Sequence, residues 1–111
     1  MNLDALDNAF SALSDPTRRA IVDRLAGGPS RVTDLAKPFE MSLNAVSKHL
    51  KVLERAGMLK RLRKGREHLI ELRAGPLREV ARWTGRYERF WSDRLDRLEQ
   101  FLETPNPKER P

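Results

Sequence analysis

The chain contains no cysteine. That excludes disulfides, thiolate metal sites and thiol nucleophiles. It also fits a reducing compartment, so a cytoplasmic location is expected. Any long apolar run is missing too, which leaves no segment able to span a membrane. The first residues, MNLDALDNAF, carry early acids and no basic-then-apolar order, so no secretory signal is expected. There is no internal repeat. A chain of 111 residues suits one domain with one core, expected over residues 1–103. The closing TPNPKERP, residues 104–111, has nothing to bury and is expected to be disordered.

Acids are scarce in one place. Residues 48 to 66 hold eight Lys or Arg and a single acid, Glu54. The remainder holds fourteen basic and fifteen acidic side chains, so the whole formal charge of +6 arises in that block. A concentrated basic block points to a polyanion, usually nucleic acid. An anionic membrane surface fits less well, because the segment lacks the broad apolar face of a membrane-lying helix.

Apolar spacing gives the elements. Leu3, Leu6, Ala9, Phe10 and Leu13 recur at helical intervals. Asp15-Pro16 starts a second helix, Asp as N-cap and Pro in the first turn. That helix buries Ala20, Ile21 and Leu25, and Gly27-Gly28-Pro29 stops it. Thr33 is expected to cap a short third helix, TDLAKPF, which Pro38 cuts off. Ser42 caps the fourth. On a wheel with Val46 at zero, Leu50 falls at about 40° and Leu53 at about −20°, forming the buried stripe. Asn44, Ser47, Lys48, Lys51 and Arg55 fall between about 100° and 200°, on the opposite face. Gly57 ends this helix. Met58–Leu62 and Glu67–Leu72 alternate as two strands around a Lys64-Gly65 turn. A last helix runs from Gly75-Pro76 to about Glu103.

The expected order is therefore α-α-α-α-β-β-α, mainly helical with a small β-hairpin. The two middle helices and the FEMS turn make a helix-turn-helix, and the basic hairpin makes its wing. The second helix of such a pair enters the major groove of double-stranded DNA. There Asn can bond adenine, Lys guanine, and Ser several base edges. Ser42 and the helix N-terminus can hold a phosphate. Lys64 and Arg66, beside the hairpin tip, can reach flanking phosphates or the minor groove. The candidate DNA-binding residues are Ser42, Leu43, Asn44, Ser47, Lys48, His49, Lys51, Lys64 and Arg66. His49 lies near −60° on the wheel, at the edge of the buried stripe, where packing or a phosphate contact outweighs metal ligation.

The stretch DPTRRAIVDRLAGGPSRVTDLAKPFEMSLNAVSKHLKVLERAGMLKRLRKGREHLIEL resembles the ArsR family of bacterial winged-helix repressors, most specifically in SKHLKVLERAGML. The resemblance implies a homodimer joined through its first and last helices, bound to a palindromic operator and repressing transcription. It implies that helix 42–56 is the recognition helix and 60–72 the wing. Metal sensors of the family carry a cysteine pair where this chain reads TDLAKPF, or His and carboxylates at metal spacing on the last helix. This chain has neither, so no metal site and no cofactor is expected, and it resembles a branch without them.

The last helix carries Leu77, Val80, Trp83, Tyr87, Phe90, Trp91, Leu95, Leu98, Phe101 and Leu102, a face wider than one packing stripe needs. Dimer core is the favoured reading, with Leu3, Leu6, Phe10, Trp83, Tyr87, Trp91, Leu95 and Leu98 at the interface. The alternative is an aromatic pocket of Trp83, Tyr87, Phe90 and Trp91 for a small-molecule effector, whose identity the sequence does not give. Catalysis has little support, because the serines and acids are scattered on caps and helix surfaces and form no nucleophile–base pair. The remaining rival is a winged-helix module that binds protein, but such modules tend to lose the basic residues concentrated here.

Overall fold

A computed structural model of the chain describes residues 3–103, with side chains from Asp4 onward. The side chain of Leu3 and the tail 104–111 lie outside the described residues. The elements are α1 (Leu3–Leu13), α2 (Pro16–Leu25), β1 (Ser30–Arg31), α3 (Val32–Ala36), α4 (Leu43–Arg55), β2 (Leu59–Lys64), β3 (Glu67–Leu72) and α5 (Gly75–Glu103). Two compact units share α5: the first runs to Val80, and the second, from Ala81, is the rest of that helix. Among the described residues, no helix is long and apolar enough to cross a membrane.

The first unit is a winged helix-turn-helix. Its three antiparallel strands lie in the order β1-β3-β2, with Ser30 opposite Ile70 and Leu59 opposite Leu72. Ile21, Leu35, Val46, Leu50, Leu53, Met58 and Ile70 are fully buried, so helices α2 to α4 and the hairpin share one core. Burial of this apolar surface, at about 25 cal/mol per Å², is the main force holding the unit together.

Local chemistry fixes the ends of the elements. The Asp15 carboxylate accepts the Arg18 amide at 3.0 Å, capping α2, and the Ser42 hydroxyl accepts the Ala45 amide at 3.1 Å, capping α4. At the other end of α4, Gly57 takes a φ of +74°. Its amide reaches Glu54 O at 2.9 Å, and the Met58 amide reaches Leu53 O at 3.0 Å. This is a Schellman cap, closed by the buried Leu53 and Met58.

Five expectations change. Strand β1 is absent from the sequence reading, because two residues are too short to show a period. The third helix begins at Val32, with Arg31 at the N-cap and no side-chain cap bond, so Thr33 does not cap it. The chain passes straight from β1 into α3, which puts the helix start two residues earlier. In α2, Val22 is buried where Ala20 was expected, Ala20 being only half-buried. In α1, Ala9 and Ala12 are buried while Phe10 stays exposed. The hairpin turn also moves by one residue. Lys64 pairs with Glu67, leaving Gly65 and Arg66 as the central pair. Gly65 has a φ of +61°, and among the described residues no non-glycine residue has positive φ. A glycine first and an ordinary residue second is the type II′ pattern, whose twist matches the flanking strands.

Candidate nucleic-acid interface

Helix α4 carries the site. Val46, Leu50 and Leu53 anchor its inner face in the core. Asn44, Lys48, Lys51 and Arg55 stand exposed on the outer face, and Ser47 is half-buried beside them. The amphipathic split follows the wheel expected from the sequence. Leu43, 49 % exposed at the first turn, puts an apolar surface next to Asn44. Ser42 spends its oxygen on the cap, and its hydroxyl hydrogen can still donate to an anion.

The wing adjoins this helix through one ion pair. Arg61 Nε donates to Glu54 Oε2 at 2.6 Å, so the one acid of the basic block is already matched. Lys64, Gly65 and Arg66 are exposed at the hairpin tip. Arg63 bends back, its Nε donating to Gly65 O at 3.3 Å, which braces the turn. At the base of the sheet, Arg31 reaches Asp34 at 3.2 Å and Glu67 at 3.7 Å. Lys37 also reaches Asp34, at 3.0 Å. Bonds from Lys37 and Arg31 hold the Asp34 carboxyl below its ordinary value of 3.8.

His49 does not stand with the outward set. Its ring is 20 % exposed and turned toward the start of α2. The Arg18 guanidinium donates from Nη1 to His49 Nδ1 at 3.3 Å. The Asp15 carboxylate lies 3.8 Å from the same nitrogen. The Arg18 amide holds the Asp15 carboxyl below its ordinary 3.8, desolvation opposes this, and the Arg18 charge reinforces it. Sequence reasoning missed this cluster, because Arg18 and His49 are 31 residues apart and no local pattern joins them.

The residues expected at an interface between chains are divided. Leu6 is only 6 % exposed, so the single chain already covers it, and among the described side chains of α1 Phe10 is the exposed large apolar one. In the second unit Trp83, Tyr87, Phe90, Trp91, Leu95 and Leu98 are exposed. The rings pair along the helix: Trp83 with Tyr87 at 4.9 Å and Phe90 edge-on to Trp91 at 5.4 Å. Arg94 lies on the same stripe, 4.2 Å above the Phe90 ring. Among the described residues, no group of three or more His, Cys, Asp or Glu could hold a metal ion.

A capped helix with a polar outer face, behind a short helix and before a basic hairpin, defines the winged helix-turn-helix class. Comparison with known proteins agrees. Residues 13–61 match the helix-turn-helix domain family. The chain is 40 % identical over 98 residues to the HTH-type transcriptional regulator Rv2034 of Mycobacterium tuberculosis, covering 88 % of this chain and 89 % of that one. It is 37 % identical over 78 residues to the transcriptional repressor SdpR of Bacillus subtilis, covering 70 % and 87 %. Among solved structures, the ArsR family transcriptional regulator RHA00566 superposes with a TM-score of 0.73 at 36 % identity, over 83 % of this chain and 95 % of that one. The homodimeric winged helix-turn-helix DNA-binding domain of Mb0332 from Mycobacterium bovis superposes with a TM-score of 0.61 at 27 % identity, over 86 % and 85 %. The chain belongs to the ArsR family of winged helix-turn-helix transcriptional regulators.

Proposed function

We propose that this protein is a cytoplasmic, sequence-specific transcriptional repressor that binds a palindromic operator in double-stranded DNA as a homodimer. The outer face of α4 carries this reading: Asn44, Lys48 and Lys51 are exposed on a helix whose other side is fixed in the core. Asn44 offers the bidentate pattern that adenine accepts, and Lys48 the donor that guanine accepts. Leu43 supplies an apolar surface for a thymine methyl group. Ser42, Ser47 and Lys51 hold phosphates or adaptable base edges, and Lys64 and Arg66 hold flanking phosphates from the wing. The neighbours named as a repressor and as a homodimeric DNA-binding domain support the same reading.

Two-fold symmetry explains why a dimer is needed. It sets two recognition helices about 34–36 Å apart, one turn of B-DNA, so each reads half of a palindrome. The test is a titration against the DNA upstream of the protein's own gene and against a scrambled duplex, at several salt concentrations. A preference for the upstream DNA that survives moderate salt is expected, on a steep salt slope from phosphate contacts. Equal affinity for both duplexes would overturn operator reading and leave a basic winged-helix module.

A further inference from the structure

Arg18 joins three elements. Its Nε donates to Ala12 O at 2.6 Å and its Nη2 to Ser11 O at 3.3 Å, both carbonyls of the last turn of α1, the second shared with the Ser14 amide and hydroxyl. Its Nη1 reaches His49 Nδ1 on α4, and its amide holds the Asp15 cap of α2. A guanidinium only donates, so in this contact the His49 Nδ1 is the acceptor. Capping α1 needs only the first two bonds, and the neighbouring Arg19 already takes Leu13 O at 2.7 Å. The arm to His49 is the one that capping leaves unexplained. It ties α4 to the end of α1 one residue beyond the exposed Phe10.

We infer that Arg18 is a positioning residue: through His49 it fixes the recognition helix against α1, and so sets the half-site spacing that the dimer accepts. This inference rests on the operator-binding homodimer proposed above, with α1 at the interface. The planar fork of Arg suits the task, since it holds two carbonyls and a ring nitrogen in one fixed geometry that Lys cannot reproduce. A link of this kind bears on spacing more than on base identity. Moving one half-site by a base pair turns it by about 34–36° around the duplex. A helix held at one angle cannot follow that turn, whereas a loosened one can.

The experiment measures affinity for the operator and for operators with half-sites moved by one base pair in either direction. The proteins are the wild type, Arg18→Met, His49→Phe, the double variant and His49→Asn. Arg18→Met also removes caps from α1, so His49→Phe, which leaves those bonds in place, guards against a simple folding defect. Thermal melts run alongside. Arg18→Met and His49→Phe are each expected to reduce the preference for native spacing by about threefold or more, and the double variant no further, because contacting residues couple. Asn places an acceptor near the position of Nδ1, so His49→Asn is expected to keep the preference. A simple loss of stability or of a DNA contact would lower affinity at every spacing alike. An unchanged spacing preference in both single variants, or losses that add in the double variant, would return Arg18 to a cap of α1. A wild type that ignores spacing but prefers its operator to scrambled DNA would overturn the inference alone. One that does not distinguish the two duplexes would overturn the operator reading with it.

Discussion

Arg61 of β2 and Glu54 of α4 meet at 2.6 Å, joining the wing to the recognition helix through the only acid of the basic block. Both side chains are more than 40 % exposed, so the pair contributes only about 0–1 kcal/mol to stability. Its larger effect is on charge, since Glu54 offsets one cation on the surface proposed to face DNA. Glu54→Gln is therefore expected to leave the melting temperature nearly unchanged. It should tighten binding to operator and scrambled duplex alike, and steepen the salt dependence of both. Parallel melts and salt titrations check this. A large stability loss with unchanged DNA affinity would make the pair a structural strut instead.

Helix and wing are expected to fail in different ways. Asn44→Ala and Lys48→Ala should weaken operator binding by about 1–3 kcal/mol, the range for a bidentate base contact, and relax base preference. Lys64→Ala and Arg66→Ala should weaken all duplexes about equally and flatten the salt slope. Replacing operator thymines one at a time by uracil removes only the methyl groups. One such replacement should weaken the wild type but not Leu43→Ala. Equal losses on operator and scrambled DNA from the two helix variants would sink base reading by Asn44 and Lys48.

The contrast between these sites and the Arg18 cluster tracks what a sequence can carry. The inner and outer faces of α4 were legible because a 3.6-residue period fixes both at once: once Val46, Leu50 and Leu53 point inward, Asn44 and Lys48 point outward. Ser42 and Gly57 were legible as caps for equally local reasons. Strand β1 was not, because its pairing of Ser30 with Ile70 depends on a partner forty residues away. Leu6, expected at the interface between chains, is already buried within its own, since a wheel shows which side chains share a face and not what meets them. His49 sits at the edge of the stripe, where periodicity cannot choose between core, solvent and a neighbour. The choice fell to Arg18.

Acid should act on the Asp15 cap and on the Asp34 ion pairs. Asp15 and Asp34 both have carboxyl groups held below 3.8 in the folded chain, the first foremost by the Arg18 amide and the second by Lys37 and Arg31. A depressed folded value means that stability is fully present above the unfolded value. It is lost as pH falls through the lowered folded value, because the unfolded chain takes up protons first. The melting temperature should therefore drop steeply only on the acid side of 3.8. Asn caps helices about as well as Asp but does not titrate there. Asp15→Asn should thus show a smaller acid loss than the wild type in melts between neutral pH and about pH 3. An identical loss would mean that the Asp15 cap makes no contribution to it.

The stripe on α5 is the other feature that asks for a partner. With Val80 at zero, Tyr87, Trp91 and Leu98 fall at about −20°, 20° and 0°, and Leu95 at about 60°. In the single chain Trp91 is 46 % and Leu98 53 % exposed. Contiguous apolar patches of this kind are rarely left in water. Aromatic side chains suit an interface because they bury a large area for few rotatable bonds. Arg94 fits there as well, since its stacking on Phe90 lays an amphipathic side chain along the stripe. Trp91→Gln combined with Leu98→Gln should therefore split the proposed dimer. Operator affinity should then collapse although every proposed DNA contact remains, because one half-site alone binds weakly. Sedimentation of the variant beside a binding titration decides the matter. A folded monomer with full operator affinity would refute the dimer mechanism. A variant that stays dimeric would move the interface toward α1, where Phe10 is exposed.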